Sequence, residues 1–349
     1  MHDRARVWVA GCFYYSGLVK LARWWTQHSG PCLVILNYHR ASDGDLRSHL
    51  LYLRRHYRIL PLETALEELY KPHRQGGLGS DRRTLLALTF DDGYRDNYSH
   101  AFALARELQV PITIFLIPGY LESGNCFWWL EGDRLVRHAE VDKAEIEGRI
   151  YYLAQQQERK ALAQAIYTHV CSARSVAERE AFLMTTRGAL AVSATIPTER
   201  EAVLKWEEVR EMEESGWVSF GAHTMHHPVL VYLADPAELR FEIEECRTLL
   251  EQRLGHPVHA FAYPLGKPEH IGGKVRCVVQ QAGYDWAVTT LPGGNTRLSD
   301  PYLLRRNNAG ANQHWLVVAA DTAGVWSFFS RLYSIARRLI RQSLMKGGV

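Results

Sequence analysis

Two groups of side chains in this 349-residue chain could do chemistry together. The first is Asp91-Asp92, which ends the apolar run that starts at Thr84-Leu85-Leu86 and precedes Gly93. Adjacent carboxylates at the carboxyl end of a buried strand stand where α/β folds keep their reactive groups. Gly93 lets the backbone turn sharply. Alone, the pair reads equally well as a polar turn, with Asp92 or a neighbour capping a helix from about Asn97. The second group is His223, His226 and His227, which follows the short strand pattern Trp217-Val218-Ser219-Phe220-Gly221-Ala222. Two imidazoles four positions apart, joined by a distant carboxylate, supply three ligands to one divalent metal. Three protein ligands leave a coordination position open for water or substrate, as catalytic zinc requires. Spacing by itself leaves His226 and His227 both eligible.

These residues carry a resemblance. Thr89-Phe90-Asp91-Asp92-Gly93 and His223-Thr224-x-x-His227 resemble the first two motifs of the polysaccharide deacetylases, carbohydrate esterase family 4. Phe261-Ala262-Tyr263-Pro264-Leu265-Gly266 is similar to the third motif in its exopolysaccharide-type form. Ala287-Val288-Thr289-Thr290 and Leu303-Leu304-Arg305 resemble two later barrel strands, and Leu36-Asn37-Tyr38-His39-Arg40 resembles the opening YHR of the same subgroup. The likeness runs from about residue 32 to about residue 308. It implies a distorted (β/α) barrel with its site at the carboxyl ends of the strands. It also implies metal-dependent removal of the N-acetyl group from an N-acetylhexosamine polysaccharide or glycan precursor, lipid-linked forms included, with release of acetate. The cofactor implied is one divalent metal ion, expected to be zinc.

By the same resemblance Asp91 is the catalytic base, and Asp92, His223 and His227 are the metal ligands, which argues against His226. The main-chain N–H of Leu265 is the oxyanion donor. Two family residues have no counterpart here. No late His stands in the motif that usually protonates the leaving amine, since the only His after His270 is His314. The third-motif Arg is missing near Ala262. In the subgroup that opens with YHR the N-terminal His fills the first role, so the resemblance implies His39 as general acid; Arg305 is expected as the partner that keeps Asp91 ionised. Tyr94, Tyr263 and Pro264 are expected to contact substrate.

Hydrophobic residues make up 47% of the chain and charged ones 23%, ample for a globular core. A formal charge of +3 is too small to argue for nucleic acid. The six cysteines show no paired spacing, which favours free thiols over a disulfide framework. Strand and helix signals alternate through the chain, implying a parallel sheet. The expected division is a helical extension over 1–31 and a deacetylase domain over 32–312, with a polar helical insertion at about 121–205. A basic amphipathic helix follows over 313–349. Residues 1–31 suit a helix packed on the domain; their apolar patch is too short to span a bilayer and no clean cleavage site follows. The cytoplasm, with peripheral contact at the inner membrane face through the C-terminal helix, is the expected place of work. Two competing classes fit less well. A glycan-binding relative without catalysis has no need for the base Asp91. An aspartate-nucleophile phosphohydrolase wants carboxylates one residue apart and leaves the histidines unused.

Overall fold

The computed structural model describes residues 2–325, except 43, 72–80, 82, 194–197, 199 and 200. The basic amphipathic segment expected near the C-terminus therefore lies largely outside the described residues. Two helices, α1 (His2–Tyr15) and α2 (Leu18–His28), precede the sheet. Strand β1 (Leu33–Tyr38) is buried along its whole length, as an apolar strand covered on both faces must be. Asp45 caps α3 (Leu46–His56) by accepting the Ser48 N–H at 3.1 Å. The short β2 (Arg58–Ile59) leads into α4 (Leu62–Tyr70). Next come β3 (Leu85–Phe90), a π-helical turn over Asn97–Phe102, α5 (Ala103–Leu108) and β4 (Ile112–Leu116).

The segment expected as a purely helical insertion holds α6 (Pro118–Ser123), α7 (Trp128–Arg137), α8 (Gln156–Ser172) and α9 (Val176–Ala189). It also holds a two-stranded hairpin, β5 (Lys143–Ile146) with β6 (Arg149–Tyr152), which the sequence reading did not foresee. The physical reason is a tight turn: Glu147 and Gly148 both take positive φ (53° and 74°), the geometry of a two-residue hairpin loop. The alternation of exposed Lys143 and Glu145 with buried Ala144 and Ile146 is the matching strand signal.

The barrel pattern then resumes with α10 (Trp206–Glu214), β7 (Val218–Ala222), α11 (Pro236–Leu254), β8 (Ala260–Ala262), α12 (Pro268–Gln281) and β9 (Trp286–Val288). Asp235 caps α11 and Pro236 opens it; Leu239, Ile243, Cys246 and Leu250 form its buried stripe. The chain ends its described course with β10 (Gly294–Asn295), β11 (Asn307–Asn308) and α13 (Trp315–Thr322).

Strands β1, β3, β4, β7, β8 and β9 lie side by side, all parallel. The stretch from Leu304 to Asn308 joins the two ends. Leu304 bridges Val288 of β9, while Asn307 and Asn308 pair with Leu36 and Asn37 of β1. The sheet thus curls into a distorted (β/α) barrel. Its interior is filled by Leu33, Ile35, Ala87, Phe115, Ala260, Ala262, Val288 and Leu304, closed below by α4. Helix α1 packs on the barrel through Tyr14 and Trp315, whose rings lie 5.0 Å apart, and through Arg6 to Asp321 at 2.8 Å. Among the described residues no helix is long and apolar enough to cross a membrane.

Candidate active site

Side chains alternate along a strand, so Ala87, Thr89 and Asp91 share the interior face of β3. That alternation carries Asp91 to the mouth of the barrel, where its N–H bonds the Tyr38 carbonyl at 2.9 Å. Asp92 then turns out of the strand at φ 75°, a left-handed conformation rare for a residue with a Cβ. The end of β7 delivers His223, whose Nδ1–H donates to the Ala262 carbonyl at 2.7 Å. A carbonyl only accepts, so the neutral ring must present an Nε2 lone pair, and that atom faces Asp92 Oδ1 at 3.5 Å. His227 Nε2 faces the same oxygen at 3.8 Å. Thr224 bends the loop back: its own φ is 66°, and its hydroxyl accepts the His227 N–H at 2.9 Å.

Asp92, His223 and His227 offer ligand atoms that all lie within 4.8 Å of one another, and all three are buried. Three acceptors converging on one buried point are a donor set able to hold a divalent cation. Burial and the neighbouring His223 hold His227 down to about 3, so it is neutral at physiological pH, as a ligand must be. Burial opposes a charged His223, yet the carboxylates of Asp92 and Asp91 beside it raise its pKa. The local field therefore calls for positive charge at this point. His226 is turned away, with its Nδ1 on the buried Glu242 carboxylate at 2.7 Å and its ring stacked towards Phe241. The choice that spacing left open thus falls on His227 for membership of the cluster.

Burial would push Asp91 up, but the Arg306 guanidinium beside it overrides this, with His223 and His39 adding, and holds the carboxyl well below the usual range. Arg306 grips both carboxylate oxygens at 2.7 Å and is itself fully buried, anchored on the Thr289 carbonyl at 2.8 Å. Here the expectation for Arg305 is corrected. Arg305 is exposed and bonds the Pro292 carbonyl at 3.1 Å, on the outer face. Leu304 points into the barrel, so the next interior position is two residues on, at Arg306. The alternation was available in the sequence; the expectation was off by one residue.

His39 lies at the carboxyl end of β1, exposed to solvent and next to Asp91 in the adjacent strand. It is close enough to bear on both Asp91 and Asp92. The backbone there is pinned by Asn97, whose amide donates to the His39 carbonyl at 3.0 Å, and by Asp96, which accepts the Ala41 and Ser42 N–H groups at 3.1 Å. Leu265 adopts φ 58°. Its carbonyl accepts the Thr290 hydroxyl at 2.9 Å, while its N–H has no acceptor among the described residues. The three expected substrate contacts are less accessible than foreseen. Tyr263 is 1% exposed and spends its hydroxyl on the Tyr302 carbonyl, so it is a core residue; Pro264 beside it is also buried. Tyr94 is 5% exposed, with Arg40 over its ring at 4.2 Å and its hydroxyl accepting the Trp129 indole N–H at 2.7 Å.

Residues of the insertion complete the wall. Trp128 donates its indole N–H to the His227 carbonyl at 2.9 Å, and the Trp129 ring lies 4.6 Å from the His227 ring. Nothing in the local pattern Phe127-Trp128-Trp129 says which strand end these rings will meet, because that contact is set by the tertiary path.

The geometry agrees with comparison to known proteins. The family described as polysaccharide deacetylase matches residues 79–287. The chain belongs to the polysaccharide deacetylase family. Membership makes it a hydrolase directed at acetyl groups on polysaccharide. Among solved structures it is similar to the Streptococcus pyogenes deacetylase PplD in complex with acetate, at 17% identity and TM-score 0.54, covering 84% of this chain and 99% of that one. It is likewise similar to IcaB from Ammonifex degensii, at 20% identity and TM-score 0.51, covering 84% and 98%. A third is a de-N-acetylase from Aggregatibacter actinomycetemcomitans, at 13% identity and TM-score 0.53, covering 83% and 99%. At these identities the likeness is one of fold. No curated protein matches the chain.

Proposed function

We propose that this deacetylase is a divalent-metal-dependent N-deacetylase of an N-acetylhexosamine polysaccharide or glycan precursor, a lipid-linked one included, and that it releases acetate. The observation that carries the reading is the buried Asp92–His223–His227 cluster beside a second carboxylate, Asp91, kept ionised by Arg306. Asp92, His223 and His227 would hold the ion, zinc being the first choice for a set of two imidazoles and one carboxylate. When bound, such an ion supplies Lewis acidity to the acetyl carbonyl and acidifies a water.

The chain's own groups do the rest. Asp91 takes the proton of the attacking water; Arg306 holds its carboxyl below the usual range, so it is ionised and has a free lone pair to accept. The Leu265 N–H is the proposed oxyanion donor, supported by its left-handed backbone and unused hydrogen. His39 is the proposed general acid for the leaving amine, supported by its exposed place next to Asp91. The family match does not reach His39 or Arg306, so both roles, and the YHR-type subgroup with them, rest on this geometry. The deciding experiment is acetate release from N-acetylglucosamine oligomers by metal-loaded protein, with and without chelator; acetate unaffected by chelation refutes the metal dependence.

The proposed place of work is the inner membrane face, with peripheral contact. The contact is proposed through the basic C-terminal segment, and exposed Trp8, Tyr15, Trp24 and Trp25 on α1 and α2, beside Lys20, offer an additional surface for it. Aromatic rings beside cations are the chemistry of a membrane–water interface.

A further inference from the structure

The insertion carries a second feature beyond the wall it gives the metal cluster. A hollow of about 400 Å³ lies between α7 and α8, lined by Trp129, Gly132, Asp133, Lys160, Gln164 and Tyr167, with Ala163 in its floor. These residues form one stripe on each helix: 129, 132 and 133 on α7, and 160, 163, 164 and 167 on α8, at the helical spacings of three and four. The floor is shallow because the helices nearly touch there. A methyl group on Gly132 would sit 2.9 Å from the Ala163 carbonyl oxygen.

Two aromatic side chains border the hollow, and they differ in kind. Trp129 is fixed: its ring stacks on Phe127 at 4.5 Å and 8°, its N–H is held by Tyr94, and it touches the His227 ring at 4.6 Å. Tyr167 is 39% exposed on the surface of α8. The polar residues between them, Asp133 and Lys160, are exposed and make no hydrogen bond among the described residues; Gln164 reaches only Thr168 at 3.3 Å. Flat rings that accept C–H faces, with a carboxylate, an amide and an ammonium group left for hydroxyls, are the chemistry that recognises a pyranose. Trp129 belongs to both places: it lines the hollow, and its ring lies 4.6 Å from that of His227 in the metal cluster.

We propose that the α7–α8 hollow is a glycan subsite, holding the N-acetylhexosamine residue next to the one that is deacetylated. This rests on the deacetylase reading of the metal cluster. It gives the insertion a function: the barrel supplies the reaction, and the insertion selects a polymer over a free sugar.

The test uses full-length Asp91→Asn protein and calorimetric binding of N-acetylglucosamine and its β-1,4- and β-1,6-linked tetramers, alongside acetate release by the parent. One tetramer should bind at least tenfold tighter than the monomer. Tyr167→Ala should remove roughly that tenfold, the size of one stacking contact, and Gln164→Ala part of it. Tyr152→Ala, 54% exposed on the hairpin and not part of the hollow's lining, is the control and should change nothing. Circular dichroism of each variant checks folding. Equal affinity for monomer and tetramers, no binding of either tetramer, or a tetramer preference untouched by both Tyr167→Ala and Gln164→Ala overturns the subsite. Acetate release with that untouched preference does so while leaving the deacetylase reading intact. Tyr167-dependent tetramer binding without acetate release keeps the subsite and counts against the reaction.

Discussion

The pairing of Arg306 with Asp91 yields the most exposed prediction. In Arg306→Gln the carboxylate stays buried, 2% exposed, but loses both 2.7 Å charge-assisted bonds. Removing one partner of a buried ion pair costs about 3–5 kcal/mol. At about 1–2 °C per kcal/mol for a chain of this size, the melting temperature should fall by roughly 4–7 °C. Turnover should fall about 10–100-fold, the usual loss when the group that orients a site residue is removed. The pH dependence should change sign. In the parent, Asp91 lies below its ordinary value, so its contribution is full above about pH 4 and is lost only as acid protonates it. In the variant, burial, the largest influence on this carboxyl, is opposed only by His223 and His39, and the carboxyl rises. The folded state then binds the proton more tightly than the unfolded chain, and stability is lost as pH rises through the raised value. The melting gap between parent and variant should therefore widen from pH 5 to pH 8, and the acid limb of kcat/KM should move up. Arg306→Lys keeps the charge without the fork and should fall between. Arg305→Gln, exposed on the other face, should cost less than about 1 kcal/mol and little activity. A silent Arg306→Gln, or a larger loss at Arg305, would refute the reasoning.

Three further outcomes follow from the site. Asp91→Asn should bind metal as the parent does and lose at least about a hundredfold in turnover; near-parental acetate release removes Asp91 from the role of base. His227→Ala should weaken metal binding by orders of magnitude in a calorimetric titration while His226→Ala does not, and the reverse pattern would transfer the ligand role to His226. Replacing Trp24 and Trp25 by serine should reduce co-sedimentation with anionic vesicles several-fold, and undiminished sedimentation would exclude that face as the contact.

The barrel and the cluster were legible because both rest on short-range rules. Continuous apolar runs mark β1, β3 and β4 as buried on both faces, and the polar residues that end them mark the mouth. Asp92, His223 and His227 sit at such ends. Arg306 was missed although Leu304 fixes the parity of the strand, since an Arg-Arg pair gives no local sign of which side chain turns inward. The tyrosines misled for another reason. Tyr94 and Tyr263 carry a polar tip on an apolar body, and the sequence does not say whether that tip meets substrate, a Trp indole or the Tyr302 carbonyl. The wall of Trp128 and Trp129 depends on a contact with His227 about a hundred positions away, which no local period encodes.

Backbone strain links the site to its ion. Asp92, Thr224, His227 and Leu265 all have positive φ, between 55° and 75°, and Thr224 is β-branched. Each such residue costs roughly 1–3 kcal/mol, so the set stores on the order of 4–12 kcal/mol, comparable with the whole stability of a domain of about 5–15 kcal/mol. Glu242 helps to hold this loop, accepting the His226 N–H at 2.8 Å and facing His226 Nδ1 at 2.7 Å. An ion that binds the folded chain alone should therefore stabilise it visibly. At a free concentration a hundred times its Kd the gain is about 2.7 kcal/mol, or roughly 4 °C in melting temperature. The same rise should appear in Asp91→Asn, which keeps the ligands, and be absent in His227→Ala. A melting temperature indifferent to zinc in the parent, at concentrations where calorimetry shows binding, would mean that the ion does not prefer this strained loop and that the cluster is not its site.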